Sequence, residues 1–321
     1  MTNMMKRIVT LDVLRGFALI GIIFINIRQM VFGTMELNSL DLQIFRFLDI
    51  AVDHRFFVIF SFLFGVGFQL FLSRAEAKGE SKPRLLFLRR LFILFLIGLV
   101  HQYFQPGETL LIYAVIGLIL LPFYKVKSSF VLAAGIVVTL AGLYLGPIVV
   151  TFGMFLLGHW SGQIGLFQNP SRYKQGLRIT QVISLLLIIP MYFAQQSIMN
   201  STGALDVALA VGGLPVSIFY VTTLTLLMRH ETAQKLLAPL ASLGRMALTN
   251  YLMQTVIILT LSNLLDWPGT VHISTQMIAA AAILLLQIIC STLILKRFRM
   301  GPVEYLWRLG TYGRKRMVKQ K

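Results

Sequence analysis

The segment VHQYFQPGETLLIY, residues 100–113, contains a histidine and a carboxylate that could act together as a base. Its Gln-Pro-Gly turn predicts a chain reversal, with His101 near the end of one helix and Glu108 at the start of the next. A carboxylate within reach of an imidazole orients the ring and stabilises its protonated form, which suits general base catalysis. Tyr113 follows Glu108 by about one and a half helical turns and adds a candidate hydrogen-bond donor. The alternative is a histidine whose hydrogen bonds are satisfied by Glu108 or water alone.

Three polar residues recur on one face of the apolar segment LDVLRGFALIGIIFIN, residues 11–26. At about 100° per residue, Asp12, Arg15 and Asn26 return to nearly the same side of a helix. Inside a membrane such residues are costly, and they usually pair or line a polar path in the interior of a bundle. A buried ion pair between Asp12 and Arg15 that joins this helix to a neighbour is the structural alternative.

A second candidate base stands in the cluster Asp53-His54-Arg55, which precedes another apolar segment. His54 could accept a proton and Arg55 could bind a substrate, although a histidine in a loop is often simply solvated. The glycines of the following GVG sequence, Gly65 and Gly67, favour close packing of helices.

The segment SLGRMALTNYLMQT, residues 242–255, offers a possible phosphate site. Ser242 is predicted to cap a helix that has Arg245 in its first turns, and a helix N-terminus with an arginine suits a ligand such as coenzyme A. An excess of positive charge on the cytoplasmic side explains Arg245 equally well. Asn250 and Gln254 are four residues apart on one face and require partners inside the bundle.

The other histidines and the single cysteine have no supporting neighbours in the sequence, and we interpret them as structural. They are His159, His230, His272 and Cys290. One cysteine excludes a disulfide framework, and the histidines lack HExxH-type spacing, so we expect no metal site.

The elements that position these residues are predicted to be membrane helices. The 321 residues are 57% hydrophobic and only 13% charged, with a mean hydropathy of +0.78, which is typical of an integral membrane protein. Ten apolar segments of suitable length follow one another, the fifth and sixth meeting at Gly146-Pro147. They are residues 10–31, 56–73, 86–104, 109–125, 129–147, 148–166, 177–196, 205–228, 243–263 and 273–296. The predicted fold is an all-α polytopic bundle of about ten transmembrane helices.

The net charge of +17 indicates topology rather than a nucleic-acid partner, because Lys and Arg concentrate in alternate connecting segments. This pattern places both termini in the cytoplasm and residues 32–55 in an outer loop. We expect the first apolar segment to remain as a span, and GPVEYLWRLGTYG to lie along the inner interface. Residues 1–313 are predicted to form one bundle, followed by a basic cytoplasmic tail at 314–321 that contacts the lipid bilayer.

Five of these motifs, in order, resemble the YeiB-like family of bacterial membrane proteins, also called domain of unknown function 418. They are LDVLRGFALIGIIFIN, HRFFVIFSFLFGVGF, RRLFILFLIGLVHQYFQPGETLLIYAVIGLILLPF, LGRMALTNYLMQT and GPVEYLWR. The LDxxRG first span is similar to that of the transmembrane acyltransferases, including heparan-alpha-glucosaminide N-acetyltransferase and the acyltransferase-3 proteins. That resemblance implies a ten-helix bundle in which cytoplasmic acyl-CoA or acetyl-CoA meets an acceptor from the outer side.

The chain departs from the acyltransferase-3 pattern at Asn26, where that family has a histidine and the heparan acetyltransferase branch has asparagine. The resemblance therefore requires a base elsewhere, His101 first and His54 second, with Asn26 or Tyr113 donating to the oxyanion and Arg245 pairing with donor phosphates. We expect an acyltransferase of the bacterial inner membrane that acts on a small-molecule or glycan hydroxyl or amine. A transporter or flippase of a small or lipid-linked solute is the alternative, and a membrane scaffold or stress sensor is a third. The oligomeric state is left open, a homodimer included.

Overall fold

A computed structural model of the protein describes residues 7–31 and 37–313. The predicted basic tail at 314–321 therefore lies outside the described residues. Within those ranges the chain forms fourteen α-helices and no strand, which confirms the prediction of an all-helical membrane protein. The helices are α1 Val9–Met30, α2 Ser39–Ala51, α3 Arg55–Ala77, α4 Pro83–Gln102, α5 Leu110–Leu120, α6 Ser128–Leu145, α7 Pro147–Gln163, α8 Lys174–Thr202, α9 Leu205–Leu227, α10 Glu231–Leu236, α11 Ala238–Arg245, α12 Ala247–Leu264, α13 Ile273–Arg297 and α14 Pro302–Tyr312.

Each of the ten predicted apolar segments coincides with a long helix, α1, α3 to α9, α12 and α13, and α5 continues into a short 3-10 helix, Leu121–Lys125. In the described part of the chain, six helical stretches are long and apolar enough to cross a membrane: Val9–Met30, Ser39–Ala77, Ser128–Leu145, Lys174–Thr202, Leu205–Leu227 and Ile273–Arg297. The predicted ten crossings and the orientation of the termini stay predictions. "Outer" and "inner" below name the two ends of the bundle as the charge pattern predicts them.

Two local predictions need correction. The predicted outer loop contains a further helix, α2, whose capping box is formed by Asn38 and Asp41. The segment around Arg245 is not the start of the ninth span, because α11 ends at Arg245 and α12 begins after a break at Met246. Ser242 does not cap that span either, since its hydroxyl donates to the Ala238 carbonyl within α11.

Glycines allow two close helix crossings in the core. A Cβ on Gly16 of α1 would lie 2.0 Å from the Leu240 carbonyl oxygen of α11, and one on Gly65 of α3 would lie 2.0 Å from the Phe155 carbonyl oxygen of α7. Both backbones are therefore in direct contact, as small residues permit in membrane bundles. Gly67 makes no such close crossing, because a Cβ added there would meet only the guanidinium of Arg15, at 3.8 Å.

The helix α14 closes the inner end of the bundle. Its Glu304 accepts hydrogen bonds from the backbone N–H groups of Leu248 and Thr249, at 2.7 and 3.0 Å, and so caps the start of α12. Trp307 donates to the Arg90 carbonyl of α4 at 2.9 Å, and the Arg90 guanidinium lies over its ring. The N-terminus of α12 is thus occupied by a carboxylate of the same chain.

Candidate functional site

The predicted pair of His101 and Glu108 is formed. His101 ends α4 and Glu108 precedes α5, so the reversal between the two helices brings the Nδ1 atom of the imidazole against the carboxylate. Glu108 also accepts the backbone N–H of Leu110, which fixes the carboxylate at the start of α5. Both side chains are buried, with 5% and 7% of their surfaces exposed. Because a carboxylate only accepts, the Nδ1 atom carries the proton and Nε2 of the neutral ring is an acceptor.

The second nitrogen of His101 has a partner that the sequence did not suggest. The hydroxyl of Thr255 on α12 is hydrogen-bonded to Nε2 at 2.8 Å. Tyr251, one turn earlier on the same helix, packs its ring 4.9 Å from the imidazole and donates to Glu108 at 3.4 Å. Glu108, His101 and Thr255 therefore form a chain of hydrogen bonds that joins α4, α5 and α12.

Beside this chain lies a cavity of about 200 Å³, which we name the Asn26 cavity. Its walls come from the outer ends of α1, α3 and α7 and from the loop before α5. Asn26, His54, Thr109 and Tyr251 are among the polar residues that line it. Asn26 is 6% exposed, and its Nδ2 group has no hydrogen-bond partner among the described residues. An unpaired buried amide is costly, so this N–H group is available for a ligand.

His54 contacts the Asn26 cavity directly. It precedes α3 in a left-handed conformation with φ of 59°, which costs an ordinary residue about 1–3 kcal/mol and is concentrated at functional sites. Its Nε2 lies 3.8 Å from the exposed carboxylate of Asp206. Burial lowers the pKa of His54 below its usual value, while the charges of Asp53 and Asp206 oppose that shift. A neutral ring at pH 7 is able to accept a proton or a hydrogen bond.

Two predicted binding residues near this cavity are held by the protein itself. Tyr113 donates to the Phe57 carbonyl at 3.1 Å and contacts the Ser61 hydroxyl at 3.0 Å. Phe57 lines the cavity, and Tyr113 does not. Arg55 is 1% exposed and donates to the Asp53 carbonyl at 2.6 Å and to the Gln195 side chain at 3.1 Å. Arg55 thereby ties α3 to α8 rather than facing a cavity.

At the inner end, Asp12 is surrounded by arginines. It pairs with Arg7 at 2.5 Å and with Arg15 at 3.3 Å. Arg74 and Arg245 lie near enough that their charges act on this pair. The Arg245 guanidinium donates to the Arg299 carbonyl, and its buried Nε atom has no partner within the described ranges. Four guanidinium groups around one carboxylate leave an excess of positive charge suited to phosphates.

Asn250 and Gln254 do find partners inside the bundle, but on α13. Asn250 bonds to Ser291 at 2.9 Å, and Gln254 donates to Gln287 at 3.0 Å. Gln287 in turn donates to the Asn250 carbonyl at 2.8 Å. These buried amides join α12 to α13, so their geometry is that of helix packing rather than of a substrate wall.

Comparison with known proteins shows which family the chain belongs to. The family described as "Protein of unknown function (DUF418)" matches residues 161–314. An uncharacterised 39.9 kDa protein in the amylase 3′ region of Bacillus acidopullulyticus is 39% identical over 97% of this chain and 95% of its own length. The chain belongs to the DUF418 family. Other members are the uncharacterised proteins YxaH of Bacillus subtilis strain 168 and YeiB of Escherichia coli strain K12, each 28% identical. The alignment with YxaH covers 96% of this chain and 94% of YxaH. The alignment with YeiB covers 95% of this chain and 96% of YeiB. No solved structure matches.

A larger cavity of this DUF418 protein was not anticipated. It has a volume of about 440 Å³, lies at the outer end, and is named the Arg28 cavity here. His272 has a partner that the sequence did not suggest, because its Nδ1 lies 2.7 Å from the fully buried Asp41, and the ring lines this cavity. Asp41 also accepts the Ser274 N–H at 3.1 Å. Hydrogen bonds from Ser274, His272 and Asn38 outweigh burial and lower the pKa of Asp41.

The other residues interpreted as structural do not line either cavity, and that interpretation stays a prediction. His159 is fully buried and bonds to the Phe123 carbonyl at 3.0 Å. His230 is exposed and precedes α10, and Cys290 is exposed on α13. In residues 7–31 and 37–313, no group of three or more His, Cys, Asp and Glu side chains is arranged to hold a metal ion.

Proposed function

We propose that this protein transfers an acyl group from acyl-CoA to a hydroxyl or amine, as a multi-pass protein of the bacterial inner membrane. The observation that supports it is the orientation of His101 by Glu108 beside a cavity that contains the unpaired amide of Asn26. A positioned base and a preorganised donor are the two groups that acyl transfer requires.

In the proposed reaction the acceptor oxygen or nitrogen attacks the thioester carbonyl carbon, and Nε2 of His101 takes the proton that is released. Asn26 donates its Nδ2 hydrogen to the oxyanion, a contact typically worth about 3–4 kcal/mol. The carbon–sulfur bond then breaks, and the departing sulfur receives the proton from His101 to leave as coenzyme A. Glu108 stabilises the imidazolium between the two proton transfers.

The same geometry requires two side chains to move. Tyr251 forms the wall between the Asn26 cavity and His101, and the Thr255 hydroxyl is already hydrogen-bonded to Nε2 of His101. Tyr251 must turn aside to admit the acceptor, and Thr255 must give up its hydrogen bond to the acceptor group. His54, already exposed to the cavity, serves in this scheme to bind the acceptor.

The arginines around Asp12 are proposed to bind the phosphates of the donor. Arg15 and Asn26 lie on the same helix, and at 1.5 Å per residue the rise between them is about 17 Å. The donor's pantetheine arm must cover this distance along α1 for the thioester to reach Asn26.

The test measures thiol release from acetyl-CoA by protein in nanodiscs, with and without a bacterial envelope extract. A Cys290→Ser background removes the exposed thiol that would react with the detecting reagent. We expect extract-dependent release that falls about 10²–10⁴-fold in His101→Gln, a typical loss for a general base. His230→Gln, which changes an exposed histidine that does not line the cavity, is the matched control and should keep full activity.

Several outcomes would overturn the proposal. Protein that neither binds acetyl-CoA nor releases thiol with any extract is not an acyltransferase. Solute counterflow in proteoliposomes without thiol release would replace it by the transporter hypothesis. A His54→Gln variant that loses more activity than His101→Gln would move the role of base to His54.

A further inference from the structure

Two polar side chains in the wall of the Arg28 cavity each contain a buried atom that lacks a hydrogen-bond partner among the described residues. Gln276 of α13 is 5% exposed; its Nε2 donates to the Val31 carbonyl at 3.5 Å, and its Oε1 has no partner among the described residues. The guanidinium of Arg28 lies 4.3 Å above the ring of Phe45, and its buried Nη1 likewise has no partner in residues 7–31 and 37–313. Both side chains line the cavity.

The third polar group of this wall is His272. Its Nδ1 is held by Asp41 at 2.7 Å, and Asp41 is an acceptor when ionised. The proton of the neutral ring therefore lies on Nδ1, and Nε2 is an acceptor that makes no hydrogen bond within the described part of the chain. The arrangement of a buried carboxylate behind an oriented imidazole matches that of Glu108 and His101.

These groups specify the chemistry of a ligand. The unpaired Arg28 N–H requires an acceptor, and arginine prefers carboxylate and phosphate oxygens. The Gln276 oxygen and His272 Nε2 require donors, which hydroxyl groups supply. The carboxylate of Asp53 lines the cavity as well and would accept a further hydroxyl. A volume of about 440 Å³ lies within the range of ligand pockets.

The Arg28 cavity also adjoins the proposed reaction site. Its wall and that of the Asn26 cavity share Ile25, Gln29 and Asp53. A ligand held by Arg28 could therefore extend past Gln29 toward Asn26. Gln29 is itself placed by the Gln105 side chain, which donates to it at 3.2 Å, and by Gly107, where a Cβ would collide with it.

We infer that the Arg28 cavity binds the acceptor, and that the acceptor is a small polyhydroxylated molecule or residue that bears a carboxylate or phosphate. The name "acceptor" rests on the proposed function, whereas the binding site rests on the cavity alone. Arg28 binds the anionic group, and Gln276 and His272 accept hydrogen bonds from hydroxyls.

The test is equilibrium dialysis of the full chain in nanodiscs against three radiolabelled probes: glucuronate, glucose 6-phosphate and uncharged glucose. We expect one of the two anions to bind at least tenfold more tightly than glucose, and the preferred anion then identifies the carboxylate or phosphate class. Arg28→Gln should weaken that binding at least tenfold. The control is Arg46→Gln, an exposed arginine on α2 outside the cavity, which should bind as the wild type does.

A second variant tests the site independently, in case Arg28→Gln fails to fold. Gln276→Met keeps the side-chain length, removes the unpaired oxygen and should weaken binding of all three probes several-fold, while the preference for the anion over glucose remains because Arg28 is intact. Equal binding of all three probes, or unchanged binding in both Arg28→Gln and Gln276→Met, would overturn the inference. Thiol release without anion binding would leave the proposed function standing and refute this site. Anion binding without thiol release would leave the site standing and remove its role as an acceptor site.

Discussion

The backbone contact between α1 and α11 predicts that Gly16→Ala will destabilise the protein. An added Cβ would lie 2.0 Å from the Leu240 carbonyl oxygen and 3.1 Å from the Gly244 nitrogen, and both are backbone atoms that cannot rotate away. Restoring an ordinary contact of 3.4 Å requires α11 to move by about 1.4 Å. Overpacking of this kind costs up to about 3 kcal/mol, and the higher helix propensity of alanine returns about 1 kcal/mol. The expected net loss is about 2 kcal/mol.

The measurement is the free energy of unfolding in mixed micelles, from reversible SDS titration followed by tryptophan fluorescence. The matched control is Gly176→Ala on α8, where an added Cβ meets no atom within 4 Å. That variant should gain up to about 1 kcal/mol, because only the propensity term changes. The two substitutions should therefore differ by about 3 kcal/mol. If Gly16→Ala and Gly176→Ala shift stability in the same direction and by similar amounts, the close crossing is not present as described.

Further predictions concern stability and use the same titration. Glu304→Ala should cost about 0.5–2 kcal/mol, because the start of α12 loses its cap, and an unchanged stability would contradict the capping role. Burial and the neighbouring carboxylate of Asp53 raise the pKa of Asp49 on α2 to about 6, so its folded form favours the proton and stability falls as pH rises from about 4 through 6. Asp49→Asn should remove that loss, stabilising the protein at pH 7.5 but not at pH 4. Gln254→Leu and Gln287→Leu should each destabilise by about 1–3 kcal/mol by leaving a buried amide unpaired. The double variant should cost less than their sum, and strict additivity would argue against the bond.

The helical membrane fold was predictable because a long apolar segment in a bilayer can satisfy its backbone only as a helix. The hydropathy of the sequence therefore located every long helix to within a few residues. It could not locate α2, which is short and amphipathic, because a helix of that kind does not stand out from a polar loop by hydropathy. The break at Met246 was missed for a related reason. Its neighbours are good helix formers, and the Glu304 carboxylate that caps the start of α12 comes from α14, which is distant in sequence.

At the candidate site, contacts between residues close in sequence were predictable, and contacts between residues far apart in sequence were not. His101 and Glu108 were predictable as a pair because one turn separates them in the chain. The partnership of His272 with Asp41 spans 231 residues, and that of His101 with Thr255 spans 154. One sequence carries no signal for such pairs, since a histidine and a carboxylate that far apart are common by chance. The residues interpreted as structural therefore included one that lines the larger cavity.

The polar residues Asn26 and Arg28 of α1 line two different cavities because they lie on different faces of the helix. Asn26 and Arg28 are two residues apart, which turns them about 200° around the helix, so they face nearly opposite directions. Asn26 lines one cavity and Arg28 the other, while Gln29 lies about 60° from Asn26 and contributes to both. The helix thus forms a partition between the two cavities, with Gln29 at its edge. Because Gly16 fixes α1 against α11, a displacement at that crossing will tilt the partition, and Gly16→Ala should weaken anion binding as well as stability.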